Sequence, residues 1–235
     1  MTKNCNALLY DTMKQKGFTP KYVAEVGVWH PDTSNIFSFI EDRVKTMLVE
    51  PDPKSIQLIK EQFNQPNVVL HEAAICDFDG QIELCSRESS TFVIGLPSSP
   101  ALENDNCNIK ESESFTAKAI KFSNIDNGNI DLISIDTEGS EWLVIKNMIS
   151  RPSVISIETH GGIYINPYIK ELKKWMANNN YTLLLKNKSD SVYVLEDTIS
   201  VTVFDKINLL RQGFIITFRV FKKRISRSIK NKFGK

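Results

Sequence analysis

Apolar residues along the chain fall into short continuous runs separated by segments of helical periodicity. The runs YVAEVGV (22–28), VKTMLVE (44–50), NVVLHEAAI (67–75), DLISID (131–136) and VISIETH (154–160) have the length and β-branched content of buried strands. Between them, residues 33–42, 51–63, 138–149 and 167–178 repeat apolar positions every three or four residues. Ile56, Ile59 and Phe63 mark one inner face, and Leu172, Trp175 and Met176 another. An amphipathic helix over 5–16 ends at Gly17 before the first strand, and Pro20 and Pro31 bound that strand. Strands alternating with helices, and apolar throughout rather than on every second residue, predict an α/β fold: a Rossmann-like, mostly parallel sheet with helices on both faces.

Past Asp79-Gly80 the regularity weakens. QIELCS (81–86) and FTAKAIKF (115–122) read as added strands. The segment 86–114 between them, rich in Ser, Asn, Pro and Glu, reads as a long loop, either a substrate lid or a surface insertion. YTLLLKN (181–187) and SVYVLED (191–197) form an expected C-terminal antiparallel hairpin around Lys188-Ser189-Asp190. From Phe204 on, Ile207, Leu210, Phe214, Phe218, Phe221, Ile225 and Ile229 recur every three or four residues among basic ones, predicting an amphipathic basic helix. Three segments result: an N-terminal helix (1–19), a catalytic-type domain (20–197) and a basic C-terminal helix or tail (198–235).

Composition changes this picture in two places. Four cysteines, at 5, 76, 85 and 107, form neither a CxxC pair nor a dense framework, so reduced thiols and a cytoplasmic setting are expected, with Cys76 and Cys85 in the core or sheets. No signal peptide or membrane-spanning run is evident. The net charge of +1 is unevenly distributed. Residues 206–235 hold ten Lys or Arg and no acid, leaving residues 1–205 with 19 basic and 28 acidic side chains, a net of −9. Two readings of the tail stand open: peripheral contact with an anionic membrane, or packing on the domain or on a second subunit of a homo-oligomer. Without a reader motif, nucleic acid is not an expected partner.

In an open parallel sheet, ligands bind outside the carboxyl ends of the strands, so the residues closing them are the candidates for chemistry. Four are acidic: Glu25, Glu50, Asp136 and Glu158. Glu50 stands where nucleotide-type cofactors have their ribose hydroxyls held. Gly27 permits close backbone approach. Val28, Trp29, His30 and Pro31 then occupy the places where a phosphate-binding loop needs further glycines, which disfavours NAD or FAD and favours a cofactor without phosphates. No P-loop is present.

These residues resemble the FkbM-type methyltransferases over about residues 20–197. The resemblance is carried by DLISIDTEGSEWLVIKNM (131–148) and supported by ISIETH (155–160), VEPDP (49–53) and HEAAICDFDGQIEL (71–84). It implies a class I methyltransferase fold, S-adenosylmethionine as methyl donor, and O-methylation of a sugar or other hydroxyl-bearing metabolite or glycan. By the same resemblance Glu25 and Gly27, with Val28 and Trp29 beside them, would meet the methionine part. Glu50 would meet the ribose, and Glu72 and Ala73 the adenine.

Methyl transfer to oxygen is an in-line displacement, which needs donor and acceptor aligned and the hydroxyl proton removed. Asp136, Glu158 and His160 are the catalytic candidates. Either His160 or Asp136 takes the proton, or the carboxylates hold a divalent cation that lowers the acceptor's pKa. A nucleotide-dependent oxidoreductase and a catalytically inactive cofactor-binding protein are the competing functions.

Overall fold

The computed structural model describes residues 7–87, 90–94, 99, 103 and 113–233, with the backbone alone for 7, 87, 90, 113 and 224–233. Most of the expected 86–114 loop, Cys5, Cys107 and the side chains of Ile225 and Ile229 therefore lie outside the described residues. The helices are α1 (Ala7–Gln15), α2 (Phe37–Glu41), α3 (Pro53–Gln62), α4 (Glu141–Lys146), α5 (Ile169–Asn178) and α6 (Val203–Phe233). The strands are β1 (Tyr22–Val26), β2 (Lys45–Val49), β3 (Val68–His71), β4 (Ala74–Ile75), β5 (Gly80–Arg87), β6 (Ser90–Val93), β7 (Glu113–Ile120), β8 (Leu132–Ile135), β9 (Val154–Glu158), β10 (His160–Gly161), β11 (Tyr164–Ile165), β12 (Tyr181–Lys186) and β13 (Asp190–Leu195).

Seven strands make the main sheet in the order β12-β13-β9-β8-β1-β2-β3. β3, β2, β1, β8 and β9 are mutually parallel, while β13 pairs antiparallel with both β9 and β12. The strand order reverses between β1 and β8, and a crevice must open there at the carboxyl edge. Alternate side chains of the central strands enter two cores. Ala24, Val26, Met47, Ile133 and Ile155 pack with Val144, Ile145, Leu172 and Met176 of α4 and α5. Val23, Leu48, Leu132 and Val154 pack on the other face with Leu9 and Met13 of α1, Phe39 of α2 and Ile59 of α3. Helices thus cover both faces, which explains why the strands are apolar at consecutive positions.

The structure corrects several expected boundaries. The run 67–75 is two strands. β3 ends at His71, the Ala73 N–H turns back to the His71 carbonyl, and Ala74–Ile75 joins a second sheet of order β4-β7-β5-β6. QIELCS and FTAKAIKF pair with each other in that second sheet as β5 and β7. The helix expected over 138–149 spans Glu141–Lys146, because Glu138 (φ 55°) and Gly139 (φ 107°) have left the right-handed region. The helix expected over 33–42 is shortened to Phe37–Glu41 behind a 3-10 turn at Pro31–Thr33. Strand five ends at Glu158, where the N–H groups of Thr159 and His160 donate to the Ser189 carbonyl. Cys76 and Cys85 are buried, as expected.

Candidate functional site

The site begins at the crossing of β1 and β8. Gly27 follows β1 with φ 81°, and its N–H donates to the Val49 carbonyl at 2.9 Å. A Cβ on Gly27 would lie 1.7 Å from the Asp136 carbonyl oxygen, so the two strand ends approach as closely as they do only because this residue has no side chain. The next turn is strained as well, with Trp29 at φ 51°. Glu50 holds it. Its Oε2 accepts the N–H groups of Val28 (2.9 Å) and Trp29 (2.8 Å), and its Oε1 accepts that of Asp52 (3.0 Å). Where a phosphate-binding loop would use glycines, this chain uses a buried carboxylate as a brace. Three of the roughly four lone-pair sites of that carboxylate are occupied by the protein, leaving about one for a ligand hydroxyl.

Asp52 continues the VEPDP segment. It caps α3 by accepting from the N–H groups of Lys54 and Ser55, with Pro53 opening the helix, and it accepts a hydrogen bond from Ser86 Oγ at 2.6 Å. One aspartate therefore ties the second sheet to the main one. Glu25, in mid-sheet, accepts from Ser34 Oγ (2.5 Å) and the Asn35 N–H (2.8 Å). Those two residues precede α2 and fix the far wall of the crevice.

These elements enclose a cavity of about 630 Å³. Glu25, Gly27, Val28, Trp29, Glu50, Ala73 and Asp136 line it. The apolar side chains Val49, Pro51, Ile75, Leu84 and Val93 also line it and give it an apolar slot whose character suits a flat heterocycle. Seven of the ten residues expected at the site thus share one cavity. The other three sit elsewhere. Glu72 turns outward at the break between β3 and β4 and pairs with Lys60 at 2.6 Å. Glu158 is buried behind Asp136, outside the cavity lining. His160 also lies off the cavity, and both of its ring nitrogens are engaged: Nδ1 with Thr159 Oγ1 (2.8 Å) and Nε2 with the Asn187 carbonyl (3.3 Å). Because a carbonyl only accepts, the Nε2 proton points at Asn187. Burial lowers the pKa of His160 to about 4, so the ring is neutral near pH 7 and braces the β9–β13 junction.

The structure adds residues that sequence reading passed over. Asp190 opens β13 and lines the cavity, opposite Glu158 in register. The sequence shows it only as a turn residue. It reaches the site because its strand is reversed, which brings the start of β13 to the carboxyl edge of β9. Thr137 and Glu138 also line the cavity, as do Gln212, Ile215, Ile216 and Arg219 of α6.

Carboxylates dominate the electrostatics. Among the described residues, none of Glu25, Glu50, Asp136 and Glu158 is ion-paired with Lys or Arg. Burial raises Glu25 to about 8, opposed by its bonds from Ser34 and Asn35. Burial likewise pushes Asp136 well above the carboxylate range, with Glu138 and Asp190 adding to it. Glu158 is pushed up by burial and then by Asp136. Burial therefore favours the protonated form of these carboxyls in the free cavity, and a cation bound beside them would favour the ionised form. A pyrophosphate would find no glycine-loop N–H groups to hold it here, whereas a sulfonium with an ammonium group would favour the ionised carboxylates. Apolar slot, acidic rim and absent glycine loop together fit S-adenosylmethionine.

Asp136, Glu141 and Glu158 each offer an oxygen within 4.8 Å of the others, the grouping that could hold a metal ion. Glu141 is already used, since its Oε1 accepts the N–H groups of Thr137 and Gly139 (3.0 Å each) and its Oε2 accepts from Asn166 Nδ2. Among the described residues, Glu158 Oε2 and the Tyr164 hydroxyl are buried without hydrogen-bond partners.

The Methyltransferase FkbM domain matches residues 21–183, and the chain belongs to that family. It is an S-adenosylmethionine-dependent methyltransferase. A search of curated proteins finds no match. Among solved structures, the chain is similar to the methyltransferase domain of bacterial CtHen1, with a TM-score of 0.45 and 8% identity, covering 81% of this chain and 97% of that one. It is also similar to a candidate caffeoyl-CoA O-methyltransferase from Staphylococcus aureus (TM-score 0.47, 14% identity, 83% of this chain and 84% of that one). A third similar structure is the S-adenosylhomocysteine-bound Podospora anserina methyltransferase PaMTH1 (0.40, 13%, 81% and 77%). The family assignment comes from the sequence match.

Glu50 gives a first test of this geometry. In Glu50→Gln the single amide oxygen cannot accept from all three N–H groups, and its NH2 group meets donors where acceptors are needed. S-adenosylhomocysteine should bind roughly tenfold or more weakly, on the basis of about 1.5–3 kcal/mol for a hydrogen bond to a charged group. Isothermal titration reads the change.

Proposed function

We propose that the protein methylates a hydroxyl oxygen of a sugar or another small hydroxylated metabolite or glycan, with Asp136 as the base. The observation that carries this reading is the position of Asp136. It is the carboxylate that closes β8, lines the cavity and keeps partial exposure there. Burial and the neighbouring carboxylates raise its pKa, which makes its ionised form a stronger base than an ordinary carboxylate. Glu138, Asp190, Glu141 and Glu25 around it act as tuning charges. An oxygen acceptor needs such a base.

The acceptor would enter beside Lys186, Lys188 and Ser189, polar groups that line the cavity and suit a polyhydroxylated molecule. S-adenosylmethionine supplies an already activated methyl group. The chain aligns the acceptor with it through Glu25, Glu50 and the 27–29 turn, excludes water with the apolar slot and α6, and removes the proton at Asp136 Oδ.

A metal-assisted version has one observation in its favour, the unpartnered Glu158 Oε2 and Tyr164 hydroxyl beside Asp136. A divalent ion there would lower the pKa of a coordinated hydroxyl. The test is transfer of labelled methyl from S-adenosylmethionine to panels of sugars, amines and carboxylates, each with magnesium and with chelator. Label in alkali-stable ethers of the sugar panel supports the proposal. Label confined to amines or esters contradicts it, and loss of transfer with chelator selects the metal-assisted version.

A further inference from the structure

Helix α6 has two working faces. Its start is fixed by a reciprocal cap: Thr202 Oγ1 accepts the Asp205 N–H at 3.2 Å, and Asp205 Oδ2 accepts the Thr202 N–H at 2.7 Å. Lys16 pairs with the same Asp205, tying the helix to the end of α1. On the inner face α6 packs against β12, and Gln212 Oε1 accepts the Lys186 N–H at 2.8 Å. Gln212, Ile215, Ile216 and Arg219 then form one wall of the cavity.

The outer face is apolar and uncovered. Phe204, Ile207, Leu210, Phe214, Phe218 and Phe221 are 58–76% exposed. At about 100° per residue these side chains fall on one stripe roughly 120° wide. At the same pitch Lys206 falls beside one edge of the stripe, while Arg211 and Lys222 fall among the apolar side chains towards its other edge, all exposed. A run of exposed aromatic and aliphatic side chains this long is foreign to a solvated surface. Among the described residues no helix is long and apolar enough to cross a membrane. A Phe-rich stripe set among Lys and Arg, with no acid anywhere from 206 to 235, is the arrangement that lies in the plane of a bilayer surface. A second copy of the chain is a poorer match. An isologous contact through this face would set Lys206, Arg211 and Lys222 of the two copies against one another.

We propose that the outer face of α6 docks the protein on anionic lipid bilayers, with the helix in the interfacial plane and its inner face still walling the methyl-transfer cavity. One helix then couples docking to placement, since its reverse side borders the site. The cavity is held against the lipid surface, where an acceptor carried by the membrane is within reach.

The test is flotation of the full chain with vesicles of phosphatidylcholine alone and of phosphatidylcholine mixed with phosphatidylglycerol, at low and high salt. The comparison is the double variant Phe214→Glu/Phe218→Glu. Both side chains lie off the cavity, so the variant should keep its melting temperature and its affinity for S-adenosylhomocysteine. The full chain should float with the anionic vesicles about tenfold more than with the neutral ones, and the double variant should stay with the unbound fraction. Absence of the full chain from the anionic vesicle fraction, or equal flotation of the double variant, overturns the proposal. So does a dimer in sedimentation that the double variant dissociates while vesicles recruit neither protein, since a second copy would then be the occupant.

Discussion

Replacing Gly27 by alanine is expected to lower the melting temperature by about 5–15 °C and to abolish binding of S-adenosylhomocysteine. Two effects add. An alanine at φ 81° carries about 1–2 kcal/mol of backbone strain, and a Cβ placed 1.7 Å from the Asp136 carbonyl oxygen forces β1 and β8 apart, with an overpacking penalty of about 1–3 kcal/mol. A chain of this size loses roughly 2–4 °C per kcal/mol. The damage falls at the crevice, because separating the strand ends shifts Asp136 and releases the turn that Glu50 braces. Differential scanning fluorimetry and titration read the two effects. A variant that melts and binds like the parent would mean that the close approach of β1 and β8 does not shape the site.

Asp136→Asn should lower turnover by about 10²- to 10⁴-fold, the usual contribution of a general base, while S-adenosylhomocysteine affinity changes little. Stability separates this outcome from simple unfolding. The folded-state pKa of Asp136 is raised, so the fold disfavours its ionised form, and the stability that this carboxyl withholds grows as pH rises above its unfolded value. Asparagine removes that penalty. The variant should therefore melt at the same temperature as the parent or higher above neutral pH, although it is nearly inactive. In the parent, turnover should rise with pH through values above the ordinary carboxylate range as Asp136 loses its proton. Unchanged turnover in the variant would remove Asp136 from the chemistry.

What the sequence made legible follows from what each signal measures. Continuous apolar runs report burial on two faces, so β1, β2, β8 and β9 were readable with their order along the chain, and with them the acids at their ends. Periodicity does not report where a chain leaves one sheet for another. The run 67–75 is apolar on both sides of Glu72-Ala73, and only the turn at Ala73 shows that the strand divides, sending Ala73 into the cavity and Glu72 to Lys60. His160 illustrates a different limit. A histidine two residues past a strand-end acid looks catalytic, but the chain has already turned at Thr159, and the imidazole is spent on Thr159 and Asn187. Asp190 was hidden because its strand runs backwards, so the residue that enters the site comes first in its strand rather than last. The α6 stripe was plain in the sequence as an amphipathic pattern, whereas its inner face reaching the cavity depends on packing against β12.

The central claim is that the buried carboxyls around this cavity, whose protonated form the fold favours, ionise when a cation binds beside them. S-adenosylmethionine and S-adenosylhomocysteine differ by a methyl group and by the sulfonium charge, and they share every other ionisable group. Glu25, raised to about 8, is protonated in the free protein at pH 6 and largely ionised above pH 8. A bound cation favours the ionised form, so each proton released on binding links affinity to pH by up to about tenfold per unit. Titration calorimetry of both ligands from pH 6 to pH 9 should show S-adenosylmethionine tightening by about tenfold or more as pH rises, with S-adenosylhomocysteine changing far less. Parallel pH dependences for the two ligands, or failure of either to bind, would contradict the account.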